Sequence, residues 1–195
     1  MNSNTWLKRQ SRDIYVKEAQ LQGFVSRSAF KLIEIEKRYN LIVKSNNVLE
    51  LGSSPGGWSQ VLFEFNPNIK LFAFDLLNMK YSNKNLIFIN EDFLNYDFGK
   101  FKKKFDLILS DIAPNTSGHK STDHLKISSI IFDIISLLDK IANKNSNLVF
   151  KIWKGSEEKE IIHSLKKIYE LVSYFKPKSS RNESSEIYII CENLK

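Results

Sequence analysis

Seven short runs rich in β-branched and aromatic residues recur along this chain, and helical patterns fall between them. The runs lie at about Val48 to Leu51, Leu71 to Phe74, Leu86 to Ile89, Phe105 to Ser110, Leu148 to Trp153, Leu171 to Phe175 and Glu186 to Ile190. Helical periodicity marks Trp58 to Phe65, Leu125 to Ala142 and Glu157 to Leu171. In the second of these, Ile127, Ile130, Ile131, Ile134, Leu138 and Ile141 share one face. Strands alternating with helices form βαβ units, so the chain is predicted to be α/β, with a mostly parallel sheet covered on both faces. At 195 residues and 42% hydrophobic content it can build one full core. We expect a single domain, with residues 1–45 as a basic helical extension and residues 46–195 as the α/β core. Ser28 is predicted to cap a helix beginning at Ala29, which puts the cation of Lys31 in a first turn, unfavourably to the helix dipole.

Several function classes drop out on composition. The greasiest segment, Ile127 to Ile141, carries Asp133, Asp139 and Lys140, so no membrane span is expected, and the N-terminus has no apolar signal region. One cysteine, Cys191, excludes an internal disulfide and fits a reducing, cytoplasmic setting. His119, His124 and His163 are scattered and form no metal cluster with it, so no metal is expected. The net charge of +7 suggests a polyanionic partner. Within the first 40 residues Lys8, Arg9, Arg12, Lys17, Arg27, Lys31, Lys37 and Arg38 outnumber four acids, and further cations fall at Lys102 to Lys104 and Lys176 to Arg181.

The segment Val48 to Trp58 reads as strand, glycine-rich turn, helix. Gly52, Gly56 and Gly57 let the backbone turn sharply and approach a ligand. Asp75 ends the next strand, 23 residues past Gly52, near the distance at which an acid reaches the ribose hydroxyls of a bound nucleoside. Asp92 follows the third strand, and carboxylates at successive strand ends converge on one crevice. The spacing is not that of a dinucleotide fingerprint, which disfavours a nicotinamide oxidoreductase, and no phosphate loop is present. Lys151, inside the apolar run Leu148 to Trp153, either faces water, points into a polar cleft or has its charged form disfavoured by burial.

Five segments in order resemble the RlmE/FtsJ family of S-adenosylmethionine-dependent ribosomal RNA 2′-O-ribose methyltransferases. They are Ser26-Arg-Ser-Ala-Phe-Lys-Leu32, Leu49-Glu-Leu-Gly-Ser-Ser-Pro-Gly-Gly-Trp-Ser-Gln60, Ser110-Asp-Ile-Ala-Pro-Asn-Thr-Ser-Gly118, Phe150-Lys-Ile-Trp-Lys-Gly155, and Lys176-Pro-Lys-Ser-Ser-Arg181 with Ser185-Glu-Ile-Tyr-Ile189. The resemblance runs from about Trp6 to the C-terminus. It implies a Rossmann-like fold of seven strands, the last antiparallel beside the Lys151 strand. It places a catalytic tetrad on Lys31, Asp111, Lys151 and Glu186, with Lys151 the candidate general base or a charged stabiliser of the alkoxide. S-adenosylmethionine would contact Gly56 and Trp58, Asp75 at its ribose, Asp92 at its adenine and Asp111 near the methionine end.

The chain departs from the family at two places. Lys144-Asn-Ser-Asn147 stands where a Gly-Gly often precedes the lysine strand, and Trp153-Lys154 replaces a more usual Phe-Gln. The implied substrate is a uridine in the A-loop of large-subunit ribosomal RNA, on assembled or late-assembling subunits. Transfer RNA or an mRNA cap is the nearest alternative, and a non-catalytic RNA-binding assembly factor a further one. The basic N-terminal region and Lys176 to Arg181 would grip RNA phosphates. We expect a monomer.

Overall fold

A computed structural model describes residues 13–101, 104–113, 120–153, 155, 157–181 and 183–195. Trp6, Lys8, Arg9, Arg12, Lys102, Lys103, the motif from Pro114 to Gly118, His119 and Lys154 lie outside them. Two helices come first: α1 (Ile14–Gln22) and α2 (Ala29–Tyr39). Then follow β1 (Asn47–Leu51), α3 (Gly57–Phe65), β2 (Lys70–Phe74), β3 (Leu86–Ile89), β4 (Phe105–Ser110), α4 (Lys120–Ile141), β5 (Ala142–Trp153), α5 (Glu158–Ile168), β6 (Tyr169–Phe175) and β7 (Glu186–Leu194). The sheet order is β3-β2-β1-β4-β5-β7-β6. Strands β1 to β5 pair in parallel, and β7 runs antiparallel between β5 and β6. No helix among the described residues is long and apolar enough to cross a membrane.

Side chains alternate across the sheet with period two, and two cores result. Leu148, Phe150 and Ile152 face α4 and α5, packing with Ile127, Ile131, Ile134, Leu138, Ile161 and Leu165. Val48, Leu107, Leu109, Val149, Tyr188 and Ile190 face α2 and α3, packing with Leu32, Ile35, Trp58 and Leu62. The predicted apolar stripe of α4 is buried except at Ile130, which is half-buried.

Three boundaries differ from expectation. The predicted helix over Glu157 to Leu171 stops at Ile168, because Tyr169 to Phe175 pair with β7 and the ladder claims their backbone groups. Strand β5 starts at Ala142, with its register against β4 broken between Phe105 and Leu107. Within that break Asn145 takes φ +63°. Asparagine is among the few side chains that tolerate the left-handed region, which suits it to this position. Finally, Ser28 has helical φ and ψ and caps nothing with its side chain. Its hydroxyl pairs with that of Ser26 at 2.6 Å instead.

Candidate active site

The same alternation that sorts the core sets the site. Counting by twos from Leu107 and Leu109 reaches Asp111, from Val149 reaches Lys151, and from Ile190 back through Tyr188 reaches Glu186. All three ionisable groups therefore lie on the α2–α3 side of the sheet, at the C-terminal ends of β4 and β5 and the start of antiparallel β7. Register completes the arrangement: Lys151 sits opposite Tyr188, and Trp153 opposite Glu186. Lys31 arrives from the first turn of α2.

The four predicted residues come together as two ion pairs. Lys151, only 7% exposed, donates to the Asp111 carboxylate and to the Asp111 backbone carbonyl, each at 2.8 Å. Lys31 pairs with Glu186 at 2.8 Å, and the Ser180 hydroxyl donates to the same Glu186 oxygen at 2.8 Å. That pairing answers the misplaced cation of α2: the carboxylate across the site compensates Lys31 where the helix dipole does not. Burial alone would raise the Asp111 carboxyl, but the charges of Lys151 and Lys31, with hydrogen bonds from Lys151 and Tyr188, bring it below its usual value. Glu186 behaves alike: burial raises it, and Lys31 with the Ser180 hydroxyl more than reverses this.

The glycine loop lies beside these pairs, after β1. Gly52 and Gly56 take φ of +76° and +113°. A Cβ on Gly56 would come within 2.6 Å of Tyr81 Cβ and 2.8 Å of Met79 Sδ, and one on Gly57 would collide with the Ser26 hydroxyl. The absent side chains thus admit neighbouring chain segments. Asp75 staples the loop, accepting from Ser54 N at 2.8 Å on one oxygen and Leu77 N at 2.8 Å on the other. Asp92 accepts from Leu94 N at 3.0 Å. Neither aspartate has an ion-pair partner among the described residues. Trp58, at the start of α3, donates from Nε1 to the Ser28 carbonyl at 2.9 Å, joining the loop to the helix that carries Lys31.

Sequence reasoning missed three residues. Glu50, 1% exposed beneath the loop, receives the Ser59 hydroxyl at 2.6 Å. Burial, with Asp111 and Asp75 adding repulsion against the Ser59 bond, pushes its carboxyl up to about 8. Folded protein therefore keeps a proton that the unfolded chain loses above about pH 4.5, so stability falls as pH rises from about 4.5 to 8. Glu50→Gln mimics the protonated group. Without cofactor it is expected to melt about 5–10 °C above the parent at pH 9 and within a degree or two of it at pH 5. Melting curves at the two pH values check this; a gap that does not change with pH would refute the assignment.

The second is Asp13, whose carboxylate caps α1 through Tyr15 N and holds two guanidiniums, Arg27 and Arg181, the latter at 3.0 Å. Arg27, Lys31, Arg181, Glu183 and Glu186 line an open cleft of about 370 Å³. Lys176 donates to the carbonyls of Ser184 and Glu186, each at 2.6 Å, and so shapes the turn into β7. In the Lys176 to Arg181 segment two cations are thus engaged within the protein, and Lys178 is exposed. The third is Tyr188, fully buried, whose hydroxyl donates to Asp111 Oδ1 at 2.7 Å. Its tyrosine identity was visible in the sequence, and the count by twos from Glu186 was the signal that could have found it.

Comparison with known proteins agrees with this geometry. Residues 24–194 match the FtsJ-like methyltransferase family model. A relative from Ehrlichia chaffeensis, named ribosomal RNA large subunit methyltransferase E, is 42% identical over 198 residues, covering 97% of this chain and 92% of its own. The protein of that name from Rickettsia rickettsii (strain Sheila Smith) is 35% identical over 206 residues, covering 100% and 90%. Among solved structures, a Plasmodium falciparum protein assigned as a ribosomal RNA methyltransferase superposes with a TM-score of 0.75 at 31% identity, covering 88% of this chain and 98% of its own. A Lactococcus lactis protein assigned as a hemolysin, at 18% identity and a TM-score of 0.61, shares the fold alone. With a family model spanning nearly the whole described chain, and full-length relatives well above 30% identity, the chain belongs to the FtsJ-like methyltransferase family.

Proposed function

We propose that the protein moves a methyl group from S-adenosylmethionine to the ribose 2′-oxygen of a uridine in large-subunit ribosomal RNA, in the A-loop of the peptidyl-transferase centre. The observation that carries this reading is the Lys151 ammonium, buried at a strand end and held by one carboxylate oxygen and the backbone carbonyl of Asp111, with the Lys31–Glu186 pair beside it. The relatives' names support the ribosomal substrate.

The residues present fit the cofactor. Asp75 and Asp92 stand at successive strand ends without cationic partners among the described residues, and each oxygen of Asp75 keeps a lone pair for a ribose hydroxyl. Asp75 and Asp92 thus offer carboxylates at neighbouring strand ends, which suits a cationic ligand. When bound, that cofactor supplies an electrophilic methyl on a sulfonium. The chain's own work is to align the ribose oxygen and to stabilise the charge it develops, and alignment alone supplies several kcal/mol. An ammonium has three N–H donors. Asp111 takes two of those of Lys151, leaving one for the substrate oxygen. Its ion pair with Asp111 supports Lys151 as a charged stabiliser of the alkoxide over a general base, with the departing proton passing to water. Lys31, set by Glu186 and Ser180, adds a second cation on the same side.

Labelled cofactor offered with intact large subunits, free ribosomal RNA, transfer RNA and capped RNA tests the substrate. Label is expected in large-subunit RNA, at a linkage that resists alkali because its 2′-oxygen is blocked. Transfer to tRNA alone would overturn the ribosomal assignment.

A further inference from the structure

Tyr188 has no role in the chemistry so far, yet it stands among Lys31, Trp58, Asp111 and Lys151. It lies opposite Lys151 in the β5–β7 ladder, fully buried. Its hydroxyl donates at 2.7 Å to Asp111 Oδ1, the same oxygen that receives Lys151 Nζ at 2.8 Å. Its ring centroid lies 5.7 Å from Lys31 Nζ, within cation–π range, and 5.7 Å from the Trp58 ring of the cofactor loop. Trp58 in turn reaches the Ser28 carbonyl, just before the helix that carries Lys31.

A carboxylate held by one donor can turn about its side-chain bonds, whereas two donors on the same oxygen fix its direction. Without the phenol hydroxyl, Asp111 is steered by Lys151 alone, and the two can swing together. We propose that Tyr188 is a positioning residue for methyl transfer: its hydroxyl fixes the Asp111 carboxylate that aims the Lys151 ammonium, and its ring spaces Lys31 from the cofactor loop. This rests on the methyl-transfer reading of the site. Burial, and then the charges of Asp111 and Glu186, hold the phenol well above its ordinary value, so it remains a donor throughout the neutral range. Misplacement of a reacting group by about 1 Å costs about 10²-fold in rate, which sets the scale of the effect.

Tyr188→Phe removes the hydroxyl and leaves the ring. As a control, Tyr169→Phe removes another buried phenol hydroxyl at the start of β6, at the far end of the sheet from Glu186. Single-turnover transfer to large-subunit RNA with both substrates saturating, dissociation constants for S-adenosylmethionine and for RNA, and melting temperature are measured for both variants and the parent. Tyr188→Phe is expected to transfer about 10- to 100-fold more slowly. Both dissociation constants stay within about twofold of the parent, and Tyr169→Phe transfers at the parental rate. A Tyr188→Phe rate within twofold of the parent overturns the proposal, as does a fall matched by equal losses in binding or by the Tyr169 control. A parent protein that binds S-adenosylmethionine but methylates none of the RNAs would instead sink the methyl-transfer reading, and this proposal with it.

Discussion

Replacing Lys151 with methionine, which keeps the stem length and removes the ammonium, is expected to slow single-turnover transfer by about 10²–10³-fold with little change in cofactor affinity. The magnitude is that of one preorganised donor removed from a site where negative charge develops. Buried at 7% exposure and bound twice to Asp111, the ammonium needs no reorganisation when the ribose oxygen begins to give up its proton. Lys151→Arg separates the two readings of the residue. Arginine cannot act as a base near neutrality, because it does not give up its proton in proteins. An arginine variant retaining a measurable fraction of activity, with a pH–rate profile no steeper than the parent's, supports the charged role. An arginine variant as inert as the methionine one, with a parental rate rising through a lysine-like titration, would return the residue to general base.

Asp111→Ala is expected to be the most destabilising substitution in the site. It removes the carboxylate that compensates Lys151, leaving a cation that is nine-tenths buried with a backbone carbonyl and no counter-charge. Breaking a buried pair by deleting one partner costs about 3–5 kcal/mol, and the partial exposure of Asp111 places this case near the lower figure. For a chain of this size that is a fall of roughly 6–12 °C in melting temperature. The pH dependence identifies the cause. Asp111 and Glu186 both lie below their ordinary values, so the stability they contribute is complete above the unfolded carboxyl range near pH 4 and is lost as pH falls through their lower folded values. The gap between parent and Asp111→Ala is therefore widest at neutral pH and narrows progressively as pH falls below about 4. A gap that does not narrow at all on acidification would assign the loss to packing rather than charge.

Much of this arrangement was legible from residue order. The seven strand-like runs are the seven strands, the stripe from Ile127 to Ile141 is a buried helix face, and the antiparallel β7 beside the Lys151 strand follows the family resemblance. The placement of Lys31, Asp111, Lys151 and Glu186 was also within reach, since period two puts the last three on one face once the strands are set. What the sequence could not display was pairing across distance. Nothing near Glu34 announces that its carboxylate will receive Lys178 N and Ser179 N at 2.6 and 2.8 Å, seating the turn before β7 against α2. Nor does the charge of Lys176 reveal that it will be spent on two carbonyls. The Ser28 cap failed for a local reason: its backbone is already helical, and its hydroxyl pairs with that of Ser26 two residues before it. Glu50 was hidden because a single acid in an apolar strand gives no sign of whether a counter-charge will meet it.

The Asp13 carboxylate ties helix α1 to two guanidiniums that line the cleft, both on one oxygen. Arg27 and Arg181 have therefore exchanged part of their water and counter-ion atmosphere for a fixed anion before any nucleic acid arrives. A phosphate approaching this rim must compete with Asp13, and it liberates fewer small ions than two free arginines would. If RNA docks here, as the proposed function requires, formal charge overstates how steeply that binding would weaken with salt. The cost of ordering those two long side chains falls on folding, not on the encounter with RNA.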